Sequence, residues 1–245
     1  MPDMKENGTG HLIRLALCMF FFLTAAVGVI QAVSAQDEEV SRSDLMEQLA
    51  QDPKNEDLRL SVARKYLKAG KKADAIDIIA QGLRYNPNSF PLHFELCPLY
   101  LETNQIERAM IHARKSVEIE PNNAHAVFNL GLVYGQKRLE QDAISQFELA
   151  IRINPNVAEY YYNLGVAYFS SGNYAAALKA YEKTVEIDET EARAYVNMGT
   201  IYNIFNDKQK ALFYLNKALD IIGPFTEEGE RISSFIQDIK SEDEE

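Results

Sequence analysis

His93 and Cys97 are the sharpest pair of chemically able side chains in this sequence. Four residues apart on a helix, they project from one face, and imidazole nitrogen and thiolate sulfur are both zinc-type ligands. A closed zinc site wants about four such ligands, and no third stands at metal-ligand spacing. We therefore read both as core residues, Cys97 at a position that needs a small side chain and His93 at one that takes a ring. The sequence holds no phosphate-cradling glycine loop, no nucleophile elbow, and neither the HExxH nor the CxxC spacing. The expectation is a protein that is not an enzyme, with no metal site, no cofactor and no catalytic residue.

Charge narrows the partners. The 245 residues carry 25 Lys and Arg against 36 Asp and Glu, a formal net charge of -11. Between Thr226 and Glu245 eight acids face Arg231 and Lys240, and between Gln36 and Asn55 six face Arg42 and Lys54. The stretch from Glu56 to Phe225 is nearly neutral, with twenty acids and nineteen bases. Phosphate binding needs concentrated cations, so nucleic acid is excluded as a partner. A protein or peptide segment remains.

The N-terminus has Lys5 and Arg14, then an uncharged apolar stretch from Leu15 to Ile30, then Val33-Ser34-Ala35 before the acids Asp37, Glu38 and Glu39. A basic start, an apolar run and a small-residue exit make a secretory signal over 1–35. The run is short for a membrane span, which needs about 20 residues. Cleavage after Ala35 is expected, with an uncleaved anchor as the alternative. Either way the body lies outside the cytoplasm: periplasmic or secreted if cleaved, held at the inner membrane if not. Contact with the membrane is expected only in the second case. Cys18 lies within the apolar run, so the mature chain keeps Cys97 alone and relies on its core rather than on an internal disulfide.

The body is repetitive. Tyrosine recurs every 34 residues at Tyr66, Tyr100, Tyr134, Tyr168 and Tyr202, alanine at Ala75, Ala109, Ala143, Ala177 and Ala211, and proline at Pro53, Pro87, Pro121 and Pro155. Five units follow without insertion: 56–89, 90–123, 124–157, 158–191 and 192–225. In the fourth, Tyr161, Leu164, Gly165 and Tyr168 form a stripe at helical spacing, the turn residues Ser170-Ser171-Gly172-Asn173 break it, and Ala177, Tyr181, Thr184 and Val185 form a second. Each unit is thus two helices, pressed together where Gly165 and Ala177 are small, with Tyr168 filling the space beside that contact. Proline ends the second helix of a unit because it lacks the N–H to continue it. The fourth unit carries Glu189 in its place.

This pattern resembles the tetratricopeptide repeat (TPR) family: a ring at place four, Leu-Gly at seven and eight, Tyr at eleven, Ala at twenty, a ring at twenty-four, Ala at twenty-seven and Pro at thirty-two. Leu130, Gly131, Tyr134, Ala143, Phe147, Ala150 and Pro155 match it in the third unit. The resemblance implies an all-α solenoid of helical hairpins, coiled as an open right-handed superhelix. The first unit departs most, with Arg59 at place four, Ala63 at eight and Gly82 at twenty-seven, which suits an end unit facing solvent. Helices at 36–55, from about Ser43 to Gln51, and at 226–240 are expected to cap the array. The second bears the stripe Ile232, Phe235, Ile236 and Ile239 and leaves 241–245 as an acidic tail.

In TPR proteins a face of each first helix lines the concave surface. Here that face carries Phe94, Phe128, Tyr162 and Val196 at place five, Leu132 and Val166 at nine, and Leu101 and Phe169 at twelve. Asn129, Asn163 and Asn197 share place six, and a side-chain amide can donate to and accept from a peptide backbone. They resemble the asparagine ladder of O-linked N-acetylglucosamine transferase; a surface or helix-linking role is the alternative. The groove side chains expected to touch a partner are Phe94, Leu101, Phe128, Asn129, Leu132, Tyr162, Asn163, Val166, Phe169 and Asn197. Pro98, at place nine, either kinks its helix without consequence or widens the groove. Arg64, Lys68 and Arg193 do not reproduce the carboxylate clamp of chaperone adaptors. The function these residues imply is a non-catalytic scaffold or adaptor of a bacterial envelope; the alternative is an accessory subunit that presents a substrate protein to a maturation or secretion enzyme.

Overall fold

The computed structural model describes residues 43–241. The signal segment 1–35 and the tail 242–245 lie outside the described residues. Within them every regular element is a helix: α1 (43–51), α2 (Glu56–Lys68), α3 (Lys72–Gly82), α4 (Phe90–Glu102), α5 (Ile106–Ile119), α6 (Ala124–Gln136), α7 (Glu140–Ile153), α8 (Ala158–Ser170), α9 (Tyr174–Ile187), α10 (Ala192–Ile204), α11 (Lys208–Ile222) and α12 (Glu227–Ser241). They fall into two compact units, one ending at Pro87 and one starting at Asn88.

The hairpin turns explain why the repeat is strict. Gly70, Asn104, Arg138, Gly172 and Asn206 stand 34 residues apart, and each has a φ between +55° and +78°. Each N–H bonds the carbonyl three residues back, and the next N–H reaches the carbonyl of the repeating tyrosine: Lys71 to Tyr66, Gln105 to Tyr100, Leu139 to Tyr134, Asn173 to Tyr168 and Asp207 to Tyr202, at 2.8–3.0 Å. This paired closure satisfies carbonyls that the helix end would leave open. Glycine or asparagine takes that backbone shape at little cost; Arg138 does not.

The return turns use another device. The side chains of Asn55, Ser89 and Asn123 accept from the backbone N–H three residues on and start α2, α4 and α6. Where the fourth unit lacks its proline, Asp188 Oδ1 accepts from both the N–H and the hydroxyl of Thr190, at 2.9 and 2.7 Å. A side-chain turn replaces the missing stop.

Close packing inside each hairpin centres on one contact. A Cβ on Gly131 would lie 2.6 Å from the Phe147 ring, on Gly165 2.5 Å from the Tyr181 ring, and on Gly199 2.7 Å from Leu215. The group pressed against Gly165 is Tyr181, and Tyr168 packs beside the cluster that holds Ala177 and Tyr181. Tyr168 is half-buried and donates its hydroxyl to Glu148 of the preceding unit at 2.8 Å. That bond, with burial, pushes the phenol up to about 12, burial being the larger cause.

Arg59 also departs from expectation. It is 3% exposed rather than solvated, donating Nη1 to the Ile78 carbonyl at 2.8 Å and Nη2 to the Pro53 carbonyl at 2.6 Å. Main-chain acceptors let a guanidinium occupy a place that other units give to a ring.

At the rear, Ile232, Ile236 and Ile239 are buried with Ala211, Leu215 and Ala218 of α11, and Phe235 is half-buried beside them. Gly223, at φ +86°, ends α11. A Cβ on Gly229 would fall 2.0 Å from the Gly223 carbonyl oxygen, so only glycine lets α12 fold back this tightly.

Candidate functional site

First helices of the second compact unit bring a cavity of about 920 Å³ between them, lined among others by Leu101, Leu132, Asn163 and Val166. These come from α4, α6 and α8 at places twelve, nine, six and nine. A helix rises 1.5 Å per residue and turns 100°, so such places share one face, and parallel stacking brings the faces into one trough. Glu102, Arg138 and Glu140 border it at the hairpin turns. Sequence reading passed over these three. Their signal was the 34-residue turn position, where an arginine with φ +56° stands at Arg138.

The remaining predicted residues divide. Phe94, Asn129, Tyr162, Phe169 and Asn197 are half-buried. Phe94 stacks on Phe90 at 5.4 Å and Phe169 meets Tyr174 at 5.3 Å. Tyr162 carries the Arg193 guanidinium over its ring at 4.4 Å, while Glu191 takes two hydrogen bonds from that guanidinium at 2.8 and 2.6 Å and so raises its pKa further. Phe128 does not belong to the open surface. It is 4% exposed and packed between Phe147 at 5.5 Å and Tyr160 at 4.8 Å. The preference of a large ring for a desolvated site places it between units rather than in the trough.

The three asparagines are not equivalent. Asn163 donates its amide to the Glu159 carbonyl of its own helix at 2.9 Å. Asn197 is hydrogen-bonded to the buried Tyr181 hydroxyl. Asn129 makes no hydrogen bond to another described residue. A uniform ladder is not formed.

His93 and Cys97 do not converge on a metal. Burial pushes the Cys97 thiol up to about 12, which keeps it protonated. His93 instead sets its Nδ1 2.8 Å from Nδ1 of His112, and the His112 ring stacks on Tyr100 at 5.3 Å. Among the described residues, no three His, Cys, Asp or Glu side chains are grouped to hold a metal ion.

Helix pairs stacked at a fixed period beside a trough of apolar, amide and charged side chains define a helical-repeat protein of the protein-interaction class. Sequence models described as tetratricopeptide repeat match residues 43–97, 158–191 and 192–223, and one described as TPR repeat matches 141–172. The chain belongs to the tetratricopeptide repeat family. Among solved structures it is similar to MamA, at 30% identity over 65% of this chain and 93% of that one, with a TM-score of 0.61. It shares its fold with PilF of Pseudomonas aeruginosa at 18% identity, 82% and 91% coverage and a TM-score of 0.67. It does so also with YrrB, described as a TPR protein with an unusual peptide-binding site, at 18% identity, 78% and 97% coverage and 0.61. No curated protein sequence matches the chain.

Proposed function

We propose that this protein is a non-catalytic scaffold or adaptor of a bacterial cell envelope that holds a segment of another protein in the trough of its second compact unit. The observation that carries the reading is the cavity itself, where Leu101, Leu132 and Val166 give apolar surface and Asn163 a polar edge. Apolar surface left open at this scale is characteristic of binding sites. Export of the body is supported by Lys5 and Arg14, the apolar run to Ile30 and the Val33-Ser34-Ala35 exit.

Leu132→Lys and Val166→Lys place a cation in the trough from half-buried positions. Both are expected to abolish recovery of the partner captured by the wild-type protein from envelope fractions, with helical circular dichroism unchanged. Undiminished capture by both variants would overturn the trough as the binding site.

A further inference from the structure

We propose that the exposed face of α11 pairs with the same face of a second copy of this chain, turned end for end about a two-fold axis between Lys217 and Asp220. The surface is separate from the trough, none of whose lining residues lies on α11. One side of α11 buries Ala211, Leu215 and Ala218 in the core. Lys210, Phe213, Lys217, Asp220 and Ile221 stand on the other side, all exposed, within an arc of about 100° on a helix that turns 100° per residue. Phe213 is 54% exposed, and Phe225, just past the Gly223 turn, is 94% exposed. The repeat does not ask for a ring at Phe213, because Ser145 and Lys179 hold its place in the two units before. Two large rings left in water along one helix mark a contact surface.

The charges on this face select what covers it. Lys210 is bonded to Asp207 at 3.0 Å, whereas Lys217 and Asp220 have no ion pair among the described residues. Lys217 is nonetheless held in place, its Nζ 5.4 Å from the centre of the Tyr195 ring and 5.0 Å from that of Phe213. A free cation and a free acid one turn apart are self-complementary. Reversed about an axis between them, each cation faces the acid of the other copy, so the favourable pair is made twice. Phe213 of one copy then comes level with Pro224 and Phe225 of the other. Burial of the rings supplies affinity, and the two ion pairs fix the orientation. An anionic lipid surface would suit Lys217, but it would also meet Asp220 and, beyond the turn, Glu227 and Glu228.

Sedimentation velocity of the purified protein, run from micromolar to millimolar concentration, should show a reversible monomer–dimer equilibrium. Phe213→Ser and Phe225→Ser should each weaken it by ~10-fold, with helical circular dichroism unchanged. Lys217→Glu and Asp220→Lys should each weaken it by ~5–30-fold, since each turns two attractions into two repulsions. Mixed in equal amounts, these two charge variants should dimerise with one another as wild type does, because every cation again faces an acid. A protein that stays monomeric at millimolar concentration would overturn the pairing, as would a dimer that all four variants leave intact. A mixture of the charge variants no tighter than either alone would also count against it. Sedimentation of the monomer with phosphatidylglycerol vesicles, lost in Phe225→Ser, would overturn it too and assign the face to lipid.

Discussion

Glycine and histidine give the sharpest consequences at the scale of single residues. Gly165 and Gly135 are both helical, yet a Cβ would strike the Tyr181 ring at the first and meet nothing within 4 Å at the second. Tyr181 is 1% exposed and has no room to withdraw. Gly165→Ala is expected to destabilise by ~1–3 kcal/mol, as overpacking does. Gly135→Ala should stabilise by ~0.5–1 kcal/mol through helix propensity. Denaturant midpoints moving the same way in both variants would contradict the packing described. His112 predicts a pH dependence. Burial, then the neighbouring His93 and Arg108, lower its pKa to about 4 from the usual 6.5. The unfolded chain therefore binds the proton more readily across that interval, and stability present above pH 6.5 is lost as pH falls toward 4. Allowing for partial exposure, ~1–2 kcal/mol should disappear over this range. His112→Phe, which keeps a ring against Tyr100, should flatten the difference between midpoints at pH 7.5 and 4.5.

The elements are held by turn chemistry at one end and by burial at the other. α12 is the clearest case, because Ile232, Ile236 and Ile239 are 5%, 6% and 1% exposed against α11. Burial of such side chains contributes ~1.5–3 kcal/mol each. Deleting Glu227 onward should lower the unfolding midpoint by several kcal/mol equivalent and promote aggregation, with no gain in affinity for a peptide held in the trough. A truncated protein as stable as the whole, binding more tightly, would make α12 a plug instead of a cap.

For the molecule as a whole the pertinent quantity is where it begins. The basic start, apolar run and Val33-Ser34-Ala35 exit predict an exported chain whose N-terminus is near Gln36. N-terminal sequencing of the exported protein checks this; material beginning at Met1 and remaining in the membrane would establish the anchor. The near-neutral body between acidic flanks fits recognition by apolar and hydrogen-bonding contact, since exposed ion pairs are worth little at physiological salt.

The architecture was legible in the sequence because 34-residue repetition multiplies each weak local signal. One tyrosine says little, whereas five at constant spacing, with alanine and proline in step, leave a helical hairpin as the answer. Helical period also placed Leu101, Leu132, Asn163 and Val166 on one face, and the cavity gathers them. What sequence could not resolve was the environment of residues that share a repeat position. Phe128 and Tyr162 both hold place five, yet one is sealed by Tyr160 and the other lies under Arg193. Asn129, Asn163 and Asn197 share place six and differ only in what surrounds them. His93 pointed by spacing to Cys97 but is joined to His112, nineteen residues on in the next helix. Period fixes direction along a helix. Burial and hydrogen-bond partners depend on side chains brought in from other helices, and those are decided only when the hairpins pack.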